Sequence, residues 1–242
     1  MDISRSIEVF NPDVLDKDVH IIGVGATGSF VLQTLVRFGV KKINIWDFDK
    51  YEIHNVNNQA ITQSCCEKQK VAAQVELCKE INPEAEIIAH DKLVTPEDIK
   101  EMSGYVFLLV DSMKCRKELF EAIKSNDKID WYWESRLGSD QGRVYCLPIT
   151  KDFNYEPYET MHFYDDDVAE VSACGTSITI VSIVLSVTAL MVNQFIKIVT
   201  DNLDSEPYIN NYTLFDNMYG VYTENFKTEV KTVTEVTDEI IL

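Results

Sequence analysis

Three glycines and a handful of polar side chains hold most of the chemistry this sequence can do. Gly23, Gly25 and Gly28 stand at G-x-G-x-x-G spacing, after the apolar run Val19–Ile22 and before an apolar-periodic segment from Ser29 to Phe38. Each glycine has a physical task there: a tight turn, close approach of backbone to a phosphate, and close packing of helix on strand. The helix that follows turns free N–H groups and the positive end of its dipole toward an anion. Asp47, 24 residues after Gly23 and at the end of a second apolar run, Ile43–Trp46, is placed to accept hydrogen bonds from ribose hydroxyls. Three glycines alone also make ordinary structural turns. Strand, turn, helix, strand and terminal carboxylate in that order point to a nucleotide-binding βαβ unit.

Three further stations suit ATP better than a nicotinamide cofactor. The loop His54-Asn55-Val56-Asn57-Asn58-Gln59 is rich in amides that can bridge phosphate and ribose oxygens, although asparagines also simply cap turns. Lys70, near the start of its own helix, is a mobile cation able to reach β- and γ-phosphates, or else a solvated lysine. Asp111 follows a strand-like run at the edge where doubly wound sheets bind ligands. A carboxylate there can hold Mg²⁺, and it can equally cap the next helix.

These side chains need a frame. The spacing predicts helices over Ser29–Phe38, Glu67–Ile81 and Lys117–Lys124, with Gly39 as a left-handed stop and Asn82-Pro83 as another. Strands are expected at Val19–Ile22, Ile43–Trp46, Ala85–Ala89, Tyr105–Val110, Ile129–Trp133 and Arg143–Ile149, with Gly138 and Gly142 in the turn before the last. This alternation describes an α/β protein with a doubly wound, mostly parallel sheet. Lys151–Glu170 is acidic and aromatic and reads as an exposed crossover. Val171–Ile196 carries no charge but is rich in Ser and Thr, which reads as a buried helix at a subunit interface rather than a membrane span. Strand-like runs follow from Tyr208. The whole is read as one domain over 1–242, with its core at 19–149, the crossover at 150–170 and the interface helix and last strands at 171–242.

Composition narrows the partners. With 22 basic and 40 acidic residues the net charge is −18, a field that repels nucleic-acid backbones. Six cysteines, at 65, 66, 78, 115, 146 and 174, form no C-x-x-C pair and so no zinc site of the common spacing. Scattered thiols and no signal peptide suggest the reducing cytoplasm.

Taken in order, these residues resemble the MoeB/ThiF family, relatives of the ubiquitin-activating enzymes. The resemblance rests on Gly23/Gly25/Ala26/Gly28, Asp47 and Asp49, Asn55, Lys70 in Glu67-Lys68-Gln69-Lys70, Ile81-Asn82-Pro83, and Asp111 with Arg116 five positions on. It implies a Rossmann-like fold and an ATP-dependent adenylyltransferase. Such an enzyme activates the C-terminal carboxylate of a ubiquitin-like or small carrier protein or peptide and releases pyrophosphate. By the same resemblance Asp47 holds the ribose, Asn55 and Lys70 the phosphates, and Asp111 the magnesium. The sequence departs from the family where many members carry an arginine: Asn58 stands there, a neutral group that can still reach a phosphate. Arg5, which the family often supplies from the second subunit of a homodimer, and Arg136 are the replacement candidates, Arg136 being equally an ion-pair partner of Glu134 or a surface residue. Cys174 matches a region where relatives carry a cysteine and is the candidate for a catalytic thioester, although a buried inert cysteine is the commoner case. Two other readings stay open: a non-catalytic nucleotide-binding or interaction module of the same fold, and an NAD-dependent oxidoreductase, which gives no role to Lys70 or Asp111.

Overall fold

The β-branched run Val19-His20-Ile21-Ile22 becomes a strand buried along its whole length (β1, Val19–Ile22), as a central parallel strand must be. It lies between β2 (Lys42–Trp46) and β4 (Gly104–Leu108), with Ile21 opposite both Ile45 and Phe107. The computed structural model describes residues 1–161, 179–200, 211–216 and 220–226. Its strands form one eight-stranded sheet in the order β3-β2-β1-β4-β5-β6-β7-β8. β3 (Glu86–His90), β2, β1, β4 and β5 (Ile129–Leu137) run parallel, whereas β6 (Gln141–Pro148), β7 (Tyr212–Asp216) and β8 (Gly220–Glu224) continue antiparallel.

Helix α1 (Ala26–Arg37) starts three residues before Ser29, so the third glycine of the motif lies inside it. It stops as expected: Gly39 takes φ +87°, its N–H reaches the Val36 carbonyl, and the Val40 N–H reaches that of Leu35. Helix α2 (Lys70–Ile81) begins later than Glu67, because Glu67 itself sits at φ +68° and cannot be helical. Helices α1, α2 and α6 (Val181–Thr200) cover one face of the sheet, where Ile183, Val187, Met191 and Phe195 join Ile21, Leu32 and Trp133 in the larger core. Helices α3 (Pro96–Lys100), α4 (Met113–Lys124) and α5 (Glu156–Met161) belong to the other face, around Ile22, Val106, Phe120 and Tyr158.

Three expectations are corrected. Gly142 is not in a turn but inside β6, where an added Cβ would stand 2.3 Å from Val187 and 3.1 Å from Ile183; the glycine lets α6 lie close on the sheet. The crossover after residue 150 is not a plain exposed loop, since Glu156–Met161 is helical and Tyr158 is fully buried. Strand β4 ends at Leu108, two residues before the expected Val110, which leaves Asp111 in the turn before α4 rather than directly after the strand. Helix α6 is long and apolar enough to cross a membrane by length and composition alone, with a mean hydropathy of 1.7. Half of that stretch is buried within the fold, in keeping with a core helix. The segment 171–178 lies outside the described residues.

Candidate nucleotide site

The site forms at the carboxyl ends of β1, β2 and β4, and its floor is the glycine turn. Gly23 has φ +91°, and a Cβ there would come within 2.7 Å of the Leu109 carbonyl oxygen. A Cβ on Gly28 would meet the Gly23 carbonyl oxygen at 1.9 Å. These two glycines are therefore required by packing. Gly25 differs: the nearest atom to its missing Cβ is Gln59 Oε1, 4.0 Å away, so the space over this residue is open to a ligand. Ala26 opens α1 directly behind it. An anion over Gly25 would face the N-terminal amides of a twelve-residue helix.

Asp47 closes one side. Its Oδ2 accepts the Val24 N–H at 2.9 Å and its Oδ1 the Asp49 N–H at 2.9 Å. Burial raises this carboxyl above its ordinary pKa, opposed by the Lys70 charge and the two N–H groups. Each oxygen keeps a further lone pair for a ribose hydroxyl. Lys70 Nζ sits 3.0 Å from Asp49 Oδ2, with its side chain largely covered, and 5.9 Å from the Tyr51 ring centroid.

The amide loop is pinned over the turn. Asn55 is buried and turned into its own loop, its Oδ1 accepting the Glu52 N–H at 2.8 Å in a reciprocal cap. Asn58 Nδ2 donates to the Thr179 carbonyl at 3.4 Å, tying the loop to the residues just ahead of α6. The Ala60 N–H donates to Ser29 Oγ of α1 at 2.9 Å. The buried Gln59 Oε1 has no hydrogen-bond partner among the described residues.

The structure thus brings Gly23, Gly25, Ala26, Gly28, Asp47, Asp49 and Lys70 together, with Asn55 and Asn58 on the loop above. Asp111 is exposed two residues past Leu109, the residue that touches Gly23. Arg5 does not join them in its own chain. Ile3, two residues before it, packs near Gly39, at the far end of α1 and about 18 Å of helix from the turn. Cys174 lies outside the described residues. The five other cysteines are free thiols, and burial pushes Cys78 up to about 12 and Cys146 well above its ordinary value.

Beside the turn stands a group of charged and phenolic side chains that spacing revealed only in part. Arg116 Nη1 donates to Glu134 Oε1 at 2.7 Å and to the Ser135 carbonyl at 2.7 Å. Arg136 Nε donates to the same Glu134 oxygen at 2.5 Å. Tyr132 donates to Glu134 Oε2 at 2.6 Å, and Tyr158 also donates to that oxygen. Burial alone would raise the Glu134 carboxyl, but the two guanidiniums hold it well below the usual carboxylate range. Ser135 Oγ meets Thr27 Oγ1 of α1 at 3.1 Å, which joins this group to the glycine turn. The ion pair between Arg136 and Glu134 was legible as neighbours two apart on a strand; Arg116 and Tyr158 come from other elements.

A mostly parallel sheet with a glycine turn into α1 and a carboxylate just after the next strand is a Rossmann-like α/β fold. The model of the ThiF family matches residues 6–234, and the chain belongs to that family. Over 82 residues it is 38% identical to ubiquitin-like modifier-activating enzyme 5 of Drosophila simulans, covering 34% of this chain and 20% of that one. Over 127 residues it is 28% identical to tRNA threonylcarbamoyladenosine dehydratase of Haemophilus influenzae, covering 49% of each. The chain thus spans from a fifth to a half of the length of these relatives. E. coli MccB, solved with ATP, superposes with a TM-score of 0.68 at 18% identity over 89% of this chain and 65% of that one, a likeness of fold.

Proposed function

We propose that this chain binds ATP across the glycine turn and transfers AMP to a carboxylate, that of a ubiquitin-like or small carrier protein or peptide. The observation that carries the reading is the open space over Gly25, flanked by Asp47 on one side and the Lys70–Asp49 pair on the other. Family membership supports it, and so does the ATP complex of a protein with the same fold. The name of one relative refers to tRNA, but a net charge of −18 favours a protein or peptide acceptor.

In this reaction a carboxylate oxygen bonds to the α-phosphorus while the α–β phosphoanhydride bond breaks, and pyrophosphate leaves with the electron pair. The protein's part is placement and positive charge. The α1 amides and Lys70 meet the phosphates, and Asp47 orients the ribose. Among the described residues no three potential ligands cluster as a ready metal cage. One exposed carboxylate suits Mg²⁺ all the same, because that ion takes most of its ligands from phosphates and water. Asp111 would hold it, and it would neutralise phosphate charge. Asn58 leaves the family's usual cation to another residue. Arg136, held on β5 beside the turn, is the candidate within the chain, and Arg5 of a second subunit is the candidate across a homodimer. The outward side of α6, with Val181, Leu185, Ala189 and Asn193 uncharged and exposed, supports such a dimer.

A non-catalytic module is the second reading, favoured by the neutral Asn58 tied to the Thr179 carbonyl. Exchange of labelled pyrophosphate into ATP separates the two. Wild-type chain with a carboxylate-bearing acceptor exchanges, Asp111→Asn does not, and Lys70→Ala falls by about 10²-fold with unchanged melting. Tight ATP binding with no exchange for any candidate acceptor leaves the module. Calorimetry favouring NAD over ATP removes the adenylyltransferase reading.

A further inference from the structure

Resting on the nucleotide reading above, we infer that Tyr51 is a positioning residue that aims the Gly25 N–H at the phosphates. Tyr51 is fully buried in the loop after β2, where nothing in the periodicity of the sequence marks it. Its hydroxyl donates to the Val24 carbonyl at 2.7 Å and accepts from Gln74 Nε2 at 2.8 Å. Gln74 is fully buried as well, and its Oε1 accepts from Gln33 Nε2 at 3.1 Å, so the phenol is fixed from behind by α1 and α2. The N–H of Val24 is held by Asp47. Both polar groups of this one residue are therefore tied down by side chains.

The consequence lies in the next peptide. Carbonyl and N–H of a trans peptide point in opposite directions, and the described residues contain no cis bond. With the Val24 carbonyl drawn inward to Tyr51, the Gly25 N–H of the same peptide faces away from the phenol, and the space where a Gly25 side chain would stand is open. Glycine tolerates the rotated peptide nearly as well. Without the phenol the unit is free to turn over, presenting a carbonyl oxygen to an anion. Burial keeps the Tyr51 hydroxyl protonated far above neutral pH, so it remains a donor. The same ring lies under Lys70, and thus one side chain borders both the backbone and the cation of the site.

Three proteins test this at 10 °C: wild type, Tyr51→Phe and Gln74→Leu, each titrated with ATP and with adenosine, which lacks phosphates. Tyr51→Phe keeps the ring and loses the donor, whereas Gln74→Leu loosens the same buried network but leaves the bond to Val24. The expected result is a preference for ATP over adenosine that shrinks about tenfold in Tyr51→Phe and stays within about twofold in Gln74→Leu. An unchanged preference in Tyr51→Phe, or an equal loss in both variants, overturns the inference and leaves the nucleotide reading standing. No preference in wild type overturns both. A separate measurement needs no variant: the Gly25 amide proton of the wild-type chain moves downfield with ATP and not with adenosine, and an unmoved amide also overturns the inference.

Discussion

The carboxyl edge of this sheet has two halves built on opposite plans. Over β1 and β2 the site is a glycine turn with open space over Gly25, bordered by Asp47 on one side and the Lys70–Asp49 pair on the other. Over β4 and β5 it is made of buried side chains, with Glu134 accepting from two guanidiniums and two phenols. The same division extends below the edge. Glu134 is buried with four hydrogen-bond partners, whereas the ring nitrogens of the buried His20 on β1 have no hydrogen-bond partner among the described residues. The first half leaves its turn open; in the second, one carboxylate is already held between two guanidiniums. A substitution in the first should therefore change binding, and one in the second should change folding.

Glu134→Ala is expected to have the largest effect. It leaves Arg116 and Arg136 buried without their shared carboxylate and costs about 3–5 kcal/mol, read by chemical denaturation. A loss under 1 kcal/mol would mean that the two halves do not differ as described. Acid should expose this histidine next. Burial lowers His20 to about 4 in the folded chain, against about 6.5 when unfolded. Above pH 6.5 neither state binds the proton and His20 contributes no pH dependence. As pH falls from 6.5 to 4 the unfolded chain is protonated first, and stability drops by about 3 kcal/mol. His20→Leu should flatten that part of the stability–pH curve. The smallest effect belongs to the first half: Asn58→Arg should leave stability within about 0.5 kcal/mol and raise pyrophosphate exchange by about tenfold. An unchanged rate would assign the cation to Arg136 or to the second subunit's Arg5.

The two plans also explain what could be read from the sequence. Gly23, Gly28 and Gly39 were legible because a local demand, a positive φ at Gly23 and Gly39 and the nearby Gly23 carbonyl at Gly28, already asks for glycine, whatever lies farther along the chain. Asp47 was legible from its distance to them, and the parallel half of the sheet from the strands' apolar runs. Gly142 was misplaced because its reason, the approach of Ile183 and Val187, lies more than 40 residues downstream. Tyr158 disappeared among acidic neighbours for the same reason: its partner is 24 residues away on another element. Tyr51 left no trace because it grips a carbonyl, which every residue type supplies.

The pair between Lys70 and Asp49 has a consequence for how nucleotide affinity is measured. Asp49 behaves as a competitor tethered beside Lys70 at a fixed local concentration, one that no dialysis removes. A phosphate gains the lysine only during the fraction of time the carboxylate has released it, so observed affinity is scaled down by that fraction. Added salt loosens the resident pair as well as the incoming one. The dependence of ATP binding on ionic strength should then be shallower than the phosphate charge suggests, and Asp49→Asn should steepen it.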